Sequence, residues 1–123
     1  MISATKKTLV LGASSNPQRY SYLAIHKLRD HHHPVIAIGR TSTRVADVSV
    51  LAEKTPVSDL DTVTLYLNKD NQSNYYDYII AQRPRRVIFN PGAENEEFKK
   101  LLNDQGIPTL EACTLVLLGT GQY

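Results

Sequence analysis

The 123-residue chain predicts one three-layer α/β domain over residues 1–123, built on a central, mainly parallel sheet of five to six strands. Three observations carry that expectation. Short apolar runs alternate with helix-period segments along the chain, the pattern of a parallel sheet covered on both faces. The first run, Thr8-Leu9-Val10-Leu11, passes directly into the small-residue loop Gly12-Ala13-Ser14-Ser15-Asn16-Pro17-Gln18-Arg19 and then into a helix. The length suits a single core, and no linker, internal repeat or low-complexity tract divides it.

The first strand covers about Lys7–Gly12. A helix over roughly Ser21–His31 follows, with Tyr20, Leu23, Ala24 and Leu28 spaced to share a face. Pro34 ends the turn, and Val35-Ile36-Ala37-Ile38 reads as the second strand. Thr41–Lys54 is the least regular stretch, a loop with a short strand near Val48–Leu51. Thr62–Leu67 is strongly β-branched and apolar, hence a strand. Asn68–Ser73 reads as a polar loop, with Ser73 or Asn74 capping a helix that runs through Arg83 and turns Tyr75, Tyr78 and Ile79 inward. Pro84 breaks that helix, and Arg86-Val87-Ile88-Phe89 is the next strand. Asn90-Pro91-Gly92 turns the chain into a helix over about Glu94–Asp104, with Phe98, Leu101 and Leu102 inward and Gly106 just beyond its end. Ile107–Leu110 forms a last short strand and Ala112–Leu118 a final helical segment.

Composition excludes several classes. A net charge of +2 is too small to point to nucleic acid. No apolar run approaches the roughly 18 residues of a membrane span, and Met1–Lys7 lacks the apolar core of a signal peptide. One cysteine permits no internal disulfide. A cytoplasmic protein is expected.

Function is written at the carboxyl ends of the strands, where open parallel sheets bind ligands. A strand, a small-residue loop and a helix N-terminus in succession direct backbone N–H groups at a phosphate. Gly12 matches the first glycine of the dinucleotide fingerprint G-x-G-x-x-G, but Ser14 and Pro17 stand where its other glycines belong. Ser14, Ser15, Asn16 and Arg19 supply side-chain donors in their place. The second strand ends in Gly39-Arg40, where an NAD site carries an acid for the ribose hydroxyls. A basic residue there favours a ribose phosphate, and two ligands carry one: NADP at the 2′ position and coenzyme A at the 3′ position. Asn68 follows the third of these strand ends, and Asn90, Pro91 and Gly92 follow the fourth.

The loop Gly12-Ala-Ser-Ser-Asn-Pro-Gln-Arg-Tyr-Ser-Tyr22 resembles the G-A-S-x-N-P-x-R-x-S signature of small stand-alone CoA-binding proteins. These are single Rossmann-like domains similar to the CoA-binding domain of succinyl-CoA synthetase α subunits. The likeness continues through Thr62–Leu67, Asn90-Pro-Gly-Ala-Glu-Asn95 and Glu111-Ala-Cys113, over nearly the whole chain. It implies that Ser14, Ser15, Asn16 and Arg19 meet the CoA pyrophosphate, with Ser21 at the start of the helix beneath. It further implies Gly39 and Arg40 beside the adenosine 3′-phosphate, Leu67 and Asn68 on the adenine side, and Gly92 near the pantetheine arm, with Gly12, Ala13, Asn90, Pro91 and Cys113 also among the cofactor-binding residues. The chain departs from the family where members often have glycine, at His31-His32-His33 and near Asp47.

Other residues invite rival readings. His26, His31, His32 and His33 sit in and after one helix, where they complement its dipole rather than converge on a metal. Arg83, Arg85 and Arg86 read as a solvated rim at the opposite end of the sheet, with a partner or homodimer surface as the alternative. Cys113 is either a small buried side chain or a thiol that meets the CoA sulfur in a mixed disulfide. Succinyl-CoA synthetase chemistry needs a phosphohistidine domain and an ATP-binding subunit, and no catalytic constellation is legible here. The expected function is therefore non-enzymatic binding of coenzyme A or an acyl-CoA, as sensor, carrier or thiol-redox partner. An NADP-binding oxidoreductase or redox-regulatory domain is the alternative.

Overall fold

A computed structural model describes residues 5–123. Seven strands form one sheet: β1 (Thr8–Ala13), β2 (Val35–Gly39), β3 (Thr43–Val45), β4 (Val48–Leu51), β5 (Thr62–Leu65), β6 (Arg86–Phe89) and β7 (Thr109–Glu111). Their order across the sheet is β3-β4-β2-β1-β5-β6-β7. Every neighbouring pair is parallel except β3–β4. The domain is the expected Rossmann-like α/β architecture, with more strands than the five to six anticipated. The additional strand is β3, which folds back on β4 through the two-residue turn Ala46-Asp47. A three-residue strand with one inward side chain, Val45, offers too little alternation to be legible beforehand.

The central strands are buried on both faces, which explains their continuous apolar runs. Leu9, Leu11, Val63, Leu65, Val87 and Phe89 pack on one face beneath Ile79, Phe98 and Leu102. Val10, Ala37 and Val50 pack on the other beneath Ile25, Leu28 and Leu118. The helices covering these faces are α1 (Tyr20–Asp30), α2 (Lys69–Gln72), α3 (Tyr76–Gln82), α4 (Glu96–Asp104) and α5 (Thr114–Gly119), with a 3₁₀ turn at Ser73–Tyr75 between α2 and α3.

Helix faces differ from expectation in places. The buried stripe of α1 is Ser21, Ala24, Ile25 and Leu28, while Tyr20 is 70% and Leu23 42% exposed. Both stripes fit a helical period; the one containing small Ser21 and Ala24 lets the helix lie close on the sheet. On α4, Phe98 and Leu102 are buried, but Leu101 is 40% exposed. The second helical region starts earlier than expected, because Asn68 rather than Ser73 or Asn74 caps it: its Oδ1 accepts the Asn71 N–H at 3.0 Å. Arg86 is no rim residue either. Its guanidinium donates to Thr62 Oγ1 at 2.8 Å and lies 4.5 Å from the Tyr123 ring centre.

The departures from glycine fall at left-handed backbone. Helix α1 ends in a Schellman turn, with His33 N–H donating to Leu28 O at 3.0 Å and His32 N–H to Arg29 O at 2.9 Å. Helix α4 ends the same way around Gly106, φ 77°, but in α1 the corresponding residue is His32, φ 66°. In the β3–β4 turn, Ala46 has φ 55°. Side chains pay for this conformation by about 1–2 kcal/mol. Arg29 ties the two turns together: its guanidinium donates to His33 O at 2.8 Å and grips both Asp47 oxygens at 2.9 Å each.

Two outcomes follow. Ala46→Gly and His32→Gly should each stabilise the fold by about 0.5–1 kcal/mol, read as a rise in the urea midpoint at unchanged m-value. His33 is buried and its Nδ1 accepts the Lys6 N–H at 2.9 Å. Burial, then the nearby His31, Lys6 and Arg86, hold its pKa below the ordinary 6.5. Below that value the unfolded chain takes up a proton that the folded chain refuses, so stability should fall as pH drops from about 6.5 towards the lowered folded value. His33→Asn, which keeps an acceptor but cannot titrate, should flatten this dependence in urea titrations between pH 7 and 5.

Candidate functional site

The chain leaves β1 to one side towards β2 and later returns to the other side as β5. This switch point opens a crevice at the carboxyl ends of the strands. A cleft of about 830 Å³ lies there, reached by the loop after β1, the end of β2 and the segments after β5 and β6. Backbones come unusually close along its floor. A Cβ on Gly12, whose φ is 87°, would lie 2.8 Å from the Tyr66 carbonyl oxygen, and one on Gly39 would lie 2.2 Å from that of Ala13. Only glycine permits these two contacts.

The loop after β1 is shaped by its own polar side chains. Ser14 Oγ accepts the Asn16 N–H at 3.1 Å, and Asn16 Oδ1 accepts the Gln18 N–H at 3.0 Å. Asn16 O also receives the Arg19 N–H at 3.0 Å. Asn16 thus acts as a turn residue rather than lining the cleft. Arg19 is the N-cap of α1 with extended backbone, no side chain caps the helix, and its first turn holds no acid. The unsatisfied first-turn N–H groups and the positive helix end are left for a ligand. Arg40, at the end of β2, lines the same cleft. Neither Arg19 nor Arg40 has an ion-pair partner among the described residues. The lining contains no aspartate, glutamate, lysine, histidine or cysteine. Such a surface attracts anions.

The opposite walls are fixed by buried amides. Gln72 is fully buried; its Nε2 donates to Leu67 O at 2.8 Å and Ala93 O at 2.6 Å, while its Oε1 accepts from Asn95 Nδ2 at 3.0 Å. Asn95 Oδ1 caps α4 through the Phe98 N–H at 3.1 Å. Asn90 is buried too. Its Nδ2 donates to Leu65 O at 3.0 Å and Thr64 Oγ1 at 2.6 Å, and its Oδ1 accepts the Thr114 N–H at 2.9 Å. With both ends engaged, Asn90 joins β5 to the start of α5 and does not face the cleft.

Most of the anticipated residues meet here: Gly12, Ala13, Ser14, Ser15, Arg19, Ser21, Gly39, Arg40, Leu67, Asn68, Pro91 and Gly92 all line the cleft. Asn16, Asn90 and Cys113 do not. Cys113 is half-buried at the N-cap of α5, beyond the lining residues. Sequence reasoning missed Gln18, Tyr20, Thr41, Thr43, Tyr66, Asn71, Tyr75 and Ala93 in the lining. Tyr66 and Thr41 adjoin residues that were named, so adjacency was the available signal; Asn71 belongs to a helical turn read as loop, and Tyr75 was read as an inward residue of the following helix. The buried Tyr66 hydroxyl has no hydrogen-bond partner among the described residues; Thr64 and Thr114, which lie near it, bond each other at 2.8 Å. Burial raises the Tyr66 pKa well above its ordinary value.

Solved structures share this architecture. An uncharacterised protein in a crystal structure is 45% identical and superposes with a TM-score of 0.95, covering 98% of this chain and 100% of the other. A protein from Thermus thermophilus is 23% identical with a TM-score of 0.81, over 97% of this chain and 91% of its own. A hypothetical protein from Pyrococcus horikoshii OT3 is 21% identical with a TM-score of 0.81, over 91% and 80%. No curated protein matches the chain. Residues 6–119 match the family described as CoA binding domain. Fold and this match over nearly the whole chain lead to one conclusion: the chain belongs to the CoA-binding domain family.

Proposed function

We propose that the cleft binds coenzyme A or an acyl-CoA reversibly, and that the protein works as a ligand-binding module rather than an enzyme. One observation carries this reading: two unpaired guanidinium groups, Arg19 and Arg40, share a carboxylate-free cleft with the uncapped N-terminus of α1. CoA presents two separated anionic centres, a pyrophosphate and a 3′-phosphate, and the site offers two separated cationic ones. In this reading the pyrophosphate lies on Ser14, Ser15, Arg19 and the first turn of α1, on a floor held by the close backbone contacts at Gly12 and Gly39. Arg40 takes the 3′-phosphate. Leu67 and Asn68 flank the adenine, and Gly92 lies along the pantetheine arm. The lack of carboxylates, histidine, lysine and thiols in the lining supports carriage or sensing over catalysis. Because Cys113 lies outside the lining, reversible binding is favoured over a mixed disulfide with the CoA thiol.

Calorimetry of the purified protein with CoA, acetyl-CoA, NADP and NAD should give tightest binding to CoA or its thioester. Tighter binding of NADP would transfer the assignment to the oxidoreductase class. Arg40→Ala should weaken CoA by about 10- to 100-fold, the loss of one charge-assisted phosphate contact of about 1.5–3 kcal/mol. Dephospho-CoA, which lacks the 3′-phosphate, should change less than about twofold. Equal losses for both ligands would remove Arg40 from the phosphate role.

A further inference from the structure

Two walls of the cleft come from segments that share no backbone hydrogen bond across the gap: the turn after β5, with Leu67 and Asn68, and the turn after β6, with Pro91, Gly92 and Ala93. Strand pairing between β5 and β6 stops at Leu65 and Phe89. Beyond that point another contact must set their spacing. Gln72 makes it, since Leu67 O and Ala93 O both receive hydrogen bonds from its single Nε2.

The amide orientation is dictated from both ends. Two backbone carbonyls can only accept, so the end facing them is the nitrogen. At the far end, Asn95 must turn its Oδ1 to the Phe98 N–H, which leaves its Nδ2 to donate to Gln72 Oε1 and to the Tyr76 hydroxyl at 2.7 Å. Each polar atom of Gln72 is thereby used and enclosed. A buried glutamine carries a large desolvation cost unless so satisfied. A leucine of similar volume would fill the same space without that cost, yet would hold neither carbonyl.

We infer that Gln72 is a positioning residue for ligand binding: it sets the width of the cleft between the post-β5 and post-β6 walls while touching no ligand itself. The inference rests on the CoA reading of the cleft and extends it. The site divides into two halves. The phosphate half, made by the loop after β1, the start of α1 and Arg40, stands independently of Gln72. The second half, between Leu67 and Ala93, depends on it. Ligands that reach across both halves should feel a change at Gln72, and ligands confined to the phosphates should not.

The test pairs CoA with inorganic pyrophosphate as probes, on the full chain. Wild-type protein should bind both, pyrophosphate the more weakly. Gln72→Leu should weaken CoA by at least about tenfold, the scale on which a loosened supporting contact acts, and change pyrophosphate by less than about twofold. Gln72→Met, neutral and unbranched, also loses both N–H donors, so it should show the same selective loss. It also carries the test if Gln72→Leu does not fold. Unchanged CoA affinity in the variants, or equal weakening of both probes, would overturn the positioning role and leave the CoA reading standing. Wild-type protein that bound neither probe would overturn the CoA reading and this inference with it.

Discussion

The cleft depends first on how closely backbones approach at the end of β1. Gly12 rests against the Tyr66 carbonyl and Gly39 against that of Ala13, at separations that a single methyl group would violate. These contacts bring the ends of β2, β1 and β5 to one floor. They also bring the loop after β1 over that floor, where it lines the cleft. A side chain at Gly39 would displace the Ala13 carbonyl, and with it the start of the loop. The cleft is thus a product of missing atoms as much as of present ones.

Where strand pairing ends, amide side chains continue its work. Asn90 ties the Leu65 carbonyl to the first helical N–H of α5, and Gln72 ties the Leu67 and Ala93 carbonyls together. Each satisfies buried backbone groups that would otherwise cost about 1–3 kcal/mol apiece. The result is a stepwise hand-over from sheet to side chains along the β5–β6 margin. The side of the cleft formed by the loop after β1 is organised differently. There the loop supplies its own turns through Ser14 and Asn16, and its cations are left without partners, so charge is held ready for a ligand.

Most of the fold was legible because the central strands are buried on both faces and read as unbroken apolar runs. The part of the cleft lined by Gly12, the serines, Arg19 and Arg40 was equally legible, since these residues lie next to strand ends that can be located by pattern alone. What escaped notice shares a physical character. Helix α2 buries only a polar residue, Gln72, so hydrophobic periodicity cannot reveal it, and its turns read as a polar loop. Strand β3 contributes one inward side chain to an edge. On α1, two helical stripes fit the same spacing, and the choice between Tyr20 with Leu23 and Ser21 with Ile25 is made by the sheet, not by the helix. Asn90 illustrates a further limit: an asparagine at a strand end looks the same in sequence whether it serves a ligand or the backbone.

The fork of Arg29 has a consequence for how such chains diverge. It grips the carbonyl beside His32 and the carboxylate beside Ala46, the residues that hold left-handed backbone without being glycine in these two turns. One side chain thereby underwrites two unfavourable backbone choices far apart in the chain. Substitutions at these turns are therefore not independent events. A lineage that loses Arg29 comes under pressure to regain glycine at both turns, whereas one that keeps it is free to vary them, so the three positions form an epistatic unit.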